Sequence, residues 1–348
     1  MSIILAILAL AVMIAIHEWG HFIAGKICKI PVYEFSIGMG PALWKHKGKK
    51  ETVYSIRALP LGGFCSFDSP ESLNNAAENG VTDSALDKVP ILQRIFICAA
   101  GPFMNILFAF IIVFGLSLFA GETIQTTKII DFMDNSPAIN KIEVNDYIYS
   151  IDDTVVYNNR DLLTETINKD AKENGTLKIT VLRDDKYIDY DITPIFNKET
   201  QSYMLGIYEG NDYKSLPLSK AIPNSFKEIG TYISSVYSGL IGLFSGKYKV
   251  NEMSGIVGTV AFMGDYAKTT TIIPFLSLIA LISVNLGIMN LLPIPALDGS
   301  KILFAIIEAI RKKPINKDVE LKLTMTGFAI LIGLSVILII SDIIKLFV

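Results

Sequence analysis

Two histidines four residues apart, His17 and His21, enclose Glu18 in the stretch Ile14-Ala15-Ile16-His17-Glu18-Trp19-Gly20-His21. On a helix such positions share a face, so both imidazoles aim at one point. The H-E-x-x-H pattern offers two neutral nitrogen ligands for zinc. It adds a carboxylate, one residue past the first ligand, as general base for a water held between them. The motif is short, and in some chains it marks only a polar helix face. Its setting here argues for more. Residues 2–16 are apolar apart from Ser2, so the motif lies within a run suited to a bilayer. Ionisable groups at that depth are costly and mark functional sites. Three in one turn need a compensating partner, and a divalent cation is the obvious one.

A further ligand is found near the other end of the chain, in Asn285-Leu286-Gly287-Ile288-Met289-Asn290-Leu291-Leu292-Pro293-Ile294-Pro295-Ala296-Leu297-Asp298-Gly299. Two prolines so close together cannot stay in a regular helix, so the backbone opens there. Irregular backbone at membrane depth survives only when buried in protein or lining a wet cavity. Asp298 therefore belongs near a protected polar site. The chain has three histidines, and the third, His46 in Lys45-His46-Lys47, reads as a solvated surface residue. A carboxylate is the natural third zinc ligand, with the fourth position left to water. Asp298 has a second reading as the cap of a helix starting near Ser300.

The elements that must position these groups belong to a membrane protein. Of 348 residues 51% are apolar, and the mean hydropathy is +0.44, which implies several spans plus a soluble part. The net charge of −3 is spread unevenly: Gly121 to Ser215 holds 18 Asp/Glu against 10 Lys/Arg, an acidic soluble insert. Nothing resembles a basic stripe for nucleic acid. Cys28, Cys65 and Cys98 lack ligand spacing and read as reduced, structural residues. The N-terminus lacks a basic leader and a cleavage site, so it reads as a retained first span.

In chain order, residues 1–25 form span one with the histidine motif, and residues 26–90 a membrane-associated β region and loop. Within the latter, Val32 to Ile37 and Glu51 to Arg57 alternate as strands do, separated by Gly38-Met39-Gly40-Pro41 and the basic tract Lys45 to Lys50. Leu59-Pro60-Leu61-Gly62-Gly63-Phe64 is expected to turn into a last short strand, and residues 68–90 form a polar loop. Such a sheet offers an edge on which an extended peptide could pair. Residues 91–120 form span two, where Ala100-Gly101-Pro102 and Asn105 permit close helix packing and a local break. Residues 122–208 form a compact α/β module: a strand at Ile129–Phe132, a turn into a strand over 145–152, a helix over 159–169, and a hairpin of 177–182 with 187–192. Residues 209–270 carry an amphipathic helix (217–246, with Phe226, Ile229, Ile233, Val236, Tyr237 and Leu240 as its apolar stripe) expected on the membrane surface. Residues 271–311 hold span three, Asp298 and a short helix over 300–310; residues 312–348 hold span four.

The module's strand and helix order resembles a PDZ domain of the bacterial type, with Ser136-Pro137-Ala138 and Asn145-Asp146-Tyr147-Ile148 at its two signatures. Asn145 stands where that signature has glycine, and asparagine also tolerates left-handed backbone. Over nearly the whole chain, the sequence resembles the site-2 protease family of intramembrane zinc metalloproteases, and among them the bacterial members with one PDZ domain that cleave anti-sigma factors. The resemblance is carried by His17-Glu18-Trp19-Gly20-His21, Gly38-Met39-Gly40-Pro41, Leu59-Pro60-Leu61-Gly62-Gly63, Ala100-Gly101-Pro102 with Asn105, and Leu297-Asp298-Gly299. It implies Zn2+ at His17, His21 and Asp298, Glu18 as base, and substrate contacts from Asn285, Asn290, Pro293 and Pro295 and from the membrane-associated sheet. It also implies single-span membrane substrates and a peptide or protein ligand for the PDZ-like domain. The polar loop at 68–90 and the single PDZ-like module depart from the members with two PDZ domains.

The fold expected is a multi-pass α-helical membrane protein of about four spans, with a membrane-associated sheet and an inserted extracytoplasmic PDZ-like α/β domain. Lys26, Lys29 and the Lys45–Lys50 tract flank the connection between spans one and two, and Arg311-Lys312-Lys313 the connection between spans three and four. The positive-inside rule makes both connections cytoplasmic and puts the acidic module outside a bacterial cytoplasmic membrane. The rival class is a non-catalytic metal-binding scaffold or transporter that presents a PDZ domain. It has no use for Glu18 beside the first ligand, and a zinc transporter would carry more histidines and carboxylates along its spans.

Overall fold

The computed structural model describes residues 2–48, 52–69, 85–197, 201–247 and 254–347. Most of the polar loop expected at 68–90, together with Lys49, Lys50 and Glu51, lies outside the described residues. In order, the elements are α1 (Ser2–Ile27), β1 (Glu34–Lys47), β2 (Val53–Ser66), a 3-10 turn at Ala85–Lys88, and α2 (Ile91–Phe119). There follow β3 (Glu122–Phe132), β4 (Tyr147–Ile151), β5 (Thr154–Val155), α3 (Arg160–Asn174), β6 (Leu177–Arg183), β7 (Lys186–Ile192), β8 (Ile195–Asn197), β9 (Ser202–Met204) and β10 (Ile207–Lys214). The chain closes with α4 (Leu218–Phe244), α5 (Ile256–Thr269), α6 (Ile272–Leu291), α7 (Asp298–Arg311) and α8 (Lys317–Phe347). Two units result: Met1–Leu116 with Ile222–Val348, and Ser117–Ala221.

In the first unit, α1, α2, α6 and α8 are long and apolar enough to cross a membrane. Each buries only part of its apolar surface within the protein and leaves residues such as Ile4, Leu8, Phe103 and Ile330 exposed. That pattern suits a helix whose outer face meets hydrocarbon, with every backbone group satisfied internally. Ala6 and Met13 of α1 meet Met263 of α5 and Phe275 and Ile279 of α6. Ala109 and Val113 of α2 meet Ala280, Val284 and Ile288 of α6.

The amphipathic helix α4 forms where expected, and part of its apolar stripe packs within the protein while Phe226 and Tyr237 remain exposed. Ile229, Tyr232, Ile233 and Val236 pack on the α2–α6 cluster, and the Phe226 ring lies tilted against Phe110 with centroids 4.8 Å apart. Apolar surface on the two spans is thus matched by the apolar side of α4. A helix not foreseen is α5. Asp342 of the last span, 2% exposed, reaches its first turn, where Oδ2 accepts the Gly258 N–H at 2.7 Å. The open amide end of α5 gives this buried carboxylate a partner of the right sign. Arg94 of α2 and Glu308 of α7 form a second buried pair, at 2.6 Å.

The small sheet is built differently from the three short strands expected. The glycine-rich stretches lie inside two long strands as bends, not between strands. Glu34–Ile37 pair on one side with Val53–Ile56 in parallel and on the other with Gly63–Ser66 antiparallel. The far half of β1, Trp44–Lys47, returns to pair with Val53–Ile56. Gly38, with φ +87, turns the chain where a Cβ would lie 2.5 Å from the Leu59 carbonyl oxygen, a place only glycine fits. Gly63–Ser66 is therefore an edge of the sheet.

In the second unit, β10, β3, β4, β6 and β7 lie side by side in that order, with β5 paired to β4. Leu177, Ile179 and Val181 alternate inward from β6 and, with Ile148, Ile151 and Leu163, fill the core. Asn159 caps α3, its Oδ1 accepting the Leu162 N–H at 3.1 Å. Asn145 adopts φ +79, as a glycine substitute there must. Arg183 grips the buried Asp146 with two hydrogen bonds of 2.7 Å. The sheet continues past the expected end at 208, because β10 runs on to Lys214 along β3.

Candidate metal centre

The apolar run of α1 ends at Ile16, and the next turn faces inward: His17 and His21 are 7% and 8% exposed. Their Nε2 atoms stand 3.2 Å apart. Asp298 begins α7, and its Oδ2 lies 3.1 Å from His17 Nε2 and 3.2 Å from His21 Nε2. The N-cap position belongs to Leu297, which makes no side-chain cap, so the carboxylate of Asp298 is turned to the histidines.

Local backbone explains how Asp298 arrives there. α6 stops at Leu291, Pro293 and Pro295 keep the chain extended, and Ala296 takes φ +81 before the helix restarts. Gly299 lets the new helix start against the end of the old one, since a Cβ there would fall 2.2 Å from the Leu291 oxygen. On the histidine side, α1 and α2 approach through Gly20 and Gly101. A Cβ on Gly20 would lie 2.4 Å from the Ala100 oxygen.

The donor set fits a tetrahedral zinc ion. Bonds of about 2.0–2.1 Å to a tetrahedral centre place neighbouring ligand atoms about 3.3 Å apart, close to the three edges seen here. His21 Nδ1 donates to the Ile97 carbonyl at 2.8 Å, which leaves a lone pair on Nε2 for a metal. His17 Nδ1 faces the side-chain amide of Asn105 at 3.4 Å, while Asn105 Oδ1 is buried with no partner. Rotating that amide by half a turn puts the orphaned oxygen on the His17 Nδ1–H and frees Nε2 in the same way. Each imidazole thus has a partner behind it that fixes the metal-binding tautomer.

These groups open on a cavity of about 340 Å³ that also holds Glu18, Cys65, Cys98, Asn290 and Lys301. The sheet edge passes beside Glu18: a Cβ on Gly63 would lie 3.2 Å from Glu18 Cγ, and Cys65 lines the same cavity. Burial and the charge of Glu18 push the Cys65 thiol up to about 12.

Residues 5–334 match peptidase family M50. The chain belongs to that family. A zinc-metalloprotease-named protein of Fusobacterium nucleatum is 33% identical over 100% of both chains. The regulator of sigma-W protease RasP of Bacillus subtilis is 27% identical over 99% of both, and the zinc metalloprotease RasP of Bacillus licheniformis 29% identical over the same shares. Among solved structures, the PDZ domain of the SdrC-like protein of Listeria monocytogenes is similar at 23% identity, over 24% of this chain and 87% of that one, with a TM-score of 0.21. This M50 peptidase is a zinc metalloenzyme of the site-2 type.

Of the four residues expected to touch substrate, Asn290 lines the cavity, its Nδ2 donating to the Leu286 carbonyl at 3.0 Å. Asn285 and Pro293 are exposed elsewhere, and Pro295 packs on Gly327 of α8; none of the three lines the cavity. Two features escaped sequence reasoning. The Ile97 carbonyl left no signal, because every residue carries the same main-chain oxygen. Lys301 did leave one: it lies one helical turn past Asp298, on the same face.

Proposed function

We propose that this M50 peptidase hydrolyses peptide bonds within transmembrane segments of single-span membrane proteins, with anti-sigma-factor-like substrates. The observation that carries this is the convergence of two imidazoles and one carboxylate, with Glu18 beside them, at the end of an apolar helix. In this reading His17, His21 and Asp298 hold zinc. When bound, the ion supplies a Lewis acid that polarises the scissile carbonyl and makes water more acidic.

Glu18 accepts a proton from the attacking water and returns it to the departing nitrogen. The water oxygen adds to the carbonyl carbon, the C–N bond breaks, and a carboxylate and an amine result. A helical substrate hides its carbonyls in its own hydrogen bonds and must unwind first. The edge at Gly63–Ser66, running past Glu18, supports docking of the unwound segment as an added strand. Asn290 is placed to take up a freed backbone group; Asn285, Pro293 and Pro295 act further along the substrate's path or shape the turn. The charge distribution supports a bacterial cytoplasmic membrane location, the lipid bilayer enclosing the spans and the PDZ-like module facing outward, where it binds a peptide or protein and selects substrates.

Glu18→Gln tests the assignment, since it keeps the ligands and removes the base. The purified variant should bind zinc as the wild type does and release no cleaved product by mass spectrometry. Substantial turnover would remove Glu18 from the mechanism.

A further inference from the structure

Among the described residues, Lys301 is the one lysine or arginine that lines the metal cavity. It sits on α7 one turn beyond Asp298, is exposed, and makes no hydrogen bond or ion pair among the described residues. The carboxylates whose charges act on it are those of Asp298, Asp68 and Glu18. An ammonium under the influence of three carboxylates, yet bonded to none of them, is placed for an anion that is present only part of the time.

The proposed reaction supplies one. Hydrolysis turns a neutral amide into a carboxylate and an amine, and the carboxylate is formed where the scissile carbonyl stood. It appears next to Asp298 and Glu18, whose like charges repel it, in a cavity walled by protein where such repulsion is poorly screened. We infer that Lys301 is a product-binding residue: its Nζ pairs with the new C-terminal carboxylate and, before that, with the oxyanion from which it forms. This rests on the protease reading above. A lysine suits the task because its ammonium is a mobile point charge on a flexible stem, able to follow an oxygen through the reaction and then release it.

The test uses two synthetic peptides ending at a cleavage site identified with the wild-type enzyme, one with a C-terminal carboxylate and one with a carboxamide. Their binding to zinc-loaded, detergent-purified protein is measured by displacement of a labelled peptide. Wild type should prefer the carboxylate. Lys301→Met should lose about tenfold or more of that preference, the scale of a charge-assisted hydrogen bond, and Lys301→Arg should retain most of it. Both variants should keep full zinc content, because Lys301 is not a ligand. A preference unchanged in Lys301→Met would show that the metal alone reads the carboxylate and would overturn the inference, as would a wild type with no preference. Failure of the protease reading looks different: zinc-loaded wild type would cleave no membrane segment at all, and the inference would fall with it.

Discussion

Gly101 leaves no room for a side chain between α2 and His21: a Cβ built on it would fall 2.3 Å from His21 Nε2. The nitrogen that faces Asp298 and His17 thus rests against bare backbone. Gly101→Ala should push the His21 ring off this position and cost zinc and cleavage together, while α2 gains intrinsic helix propensity. Gly115→Ala, on the same helix with nothing within 4 Å of the added carbon, is the matched control and should be silent. Zinc content of the two purified proteins compares them directly. Equal zinc in both would mean that the ring has somewhere else to go.

Asn105 should matter through His17. Its backbone oxygen accepts from Ser283 Oγ at 2.8 Å, which fixes the residue on α2, and its side-chain amide faces His17 Nδ1. Asn105→Leu removes the acceptor behind the ring and should weaken zinc binding by about 10–100-fold, the usual cost of losing such a partner. Asn105→Asp keeps an acceptor and should hold zinc more tightly than Asn105→Leu. Chelator competition measures both. An identical affinity in the two variants would reduce Asn105 to a packing residue.

Much of the architecture was open to sequence reading because lipid imposes long apolar runs: span three, expected at 271–292, is the helix Ile272–Leu291. The metal cluster was likewise announced by three ionisable groups in one turn and by a carboxylate beyond two prolines. What stayed hidden depends on partners far along the chain. The apolar pattern of α5 is broken by Asp265 and Lys268, and the helix is anchored by Asp342, 84 positions after Gly258, so no local pattern shows it. The folded-back sheet pairs Glu34 with both Val53 and Ser66, a register that alternation alone cannot assign. Asn285, Pro293 and Pro295 share a motif with Asp298 yet do not reach the cavity, since residue proximity in sequence does not survive a proline-broken turn.

That turn also holds a non-glycine residue in left-handed backbone. Ala296 lines the cavity at φ +81, a region where a Cβ costs about 1–2 kcal/mol. Ala296→Gly relieves the strain at some cost in chain entropy and should leave zinc content and melting temperature nearly unchanged or slightly raised. Ala296→Val puts a branched carbon where even a methyl is strained. It should lower stability by about 2 kcal/mol or more and draw Asp298 away from the histidines. Thermal melting in detergent alongside zinc analysis separates the two variants. If valine is as well tolerated as glycine, the turn does not hold Asp298 in place.

The sharpest test falls on Asp298 itself, because its carboxylate has two possible employments. As the first residue of α7 it is favourably placed for the helix dipole, a contribution of about 0.3–1 kcal/mol. As a ligand it closes the triangle with His17 Nε2 at 3.1 Å and His21 Nε2 at 3.2 Å. Asp298→Asn keeps the shape of the side chain and removes its charge. If the dipole were the whole story, the variant would lose a fraction of a kcal/mol in stability and retain zinc and cleavage. A neutral amide is a far poorer zinc ligand, so metal affinity and hydrolysis should instead collapse together, with the spans still folded by circular dichroism. Wild-type zinc stoichiometry in Asp298→Asn would remove the third ligand, and with it the tetrahedral fit on which the assignment of the centre stands.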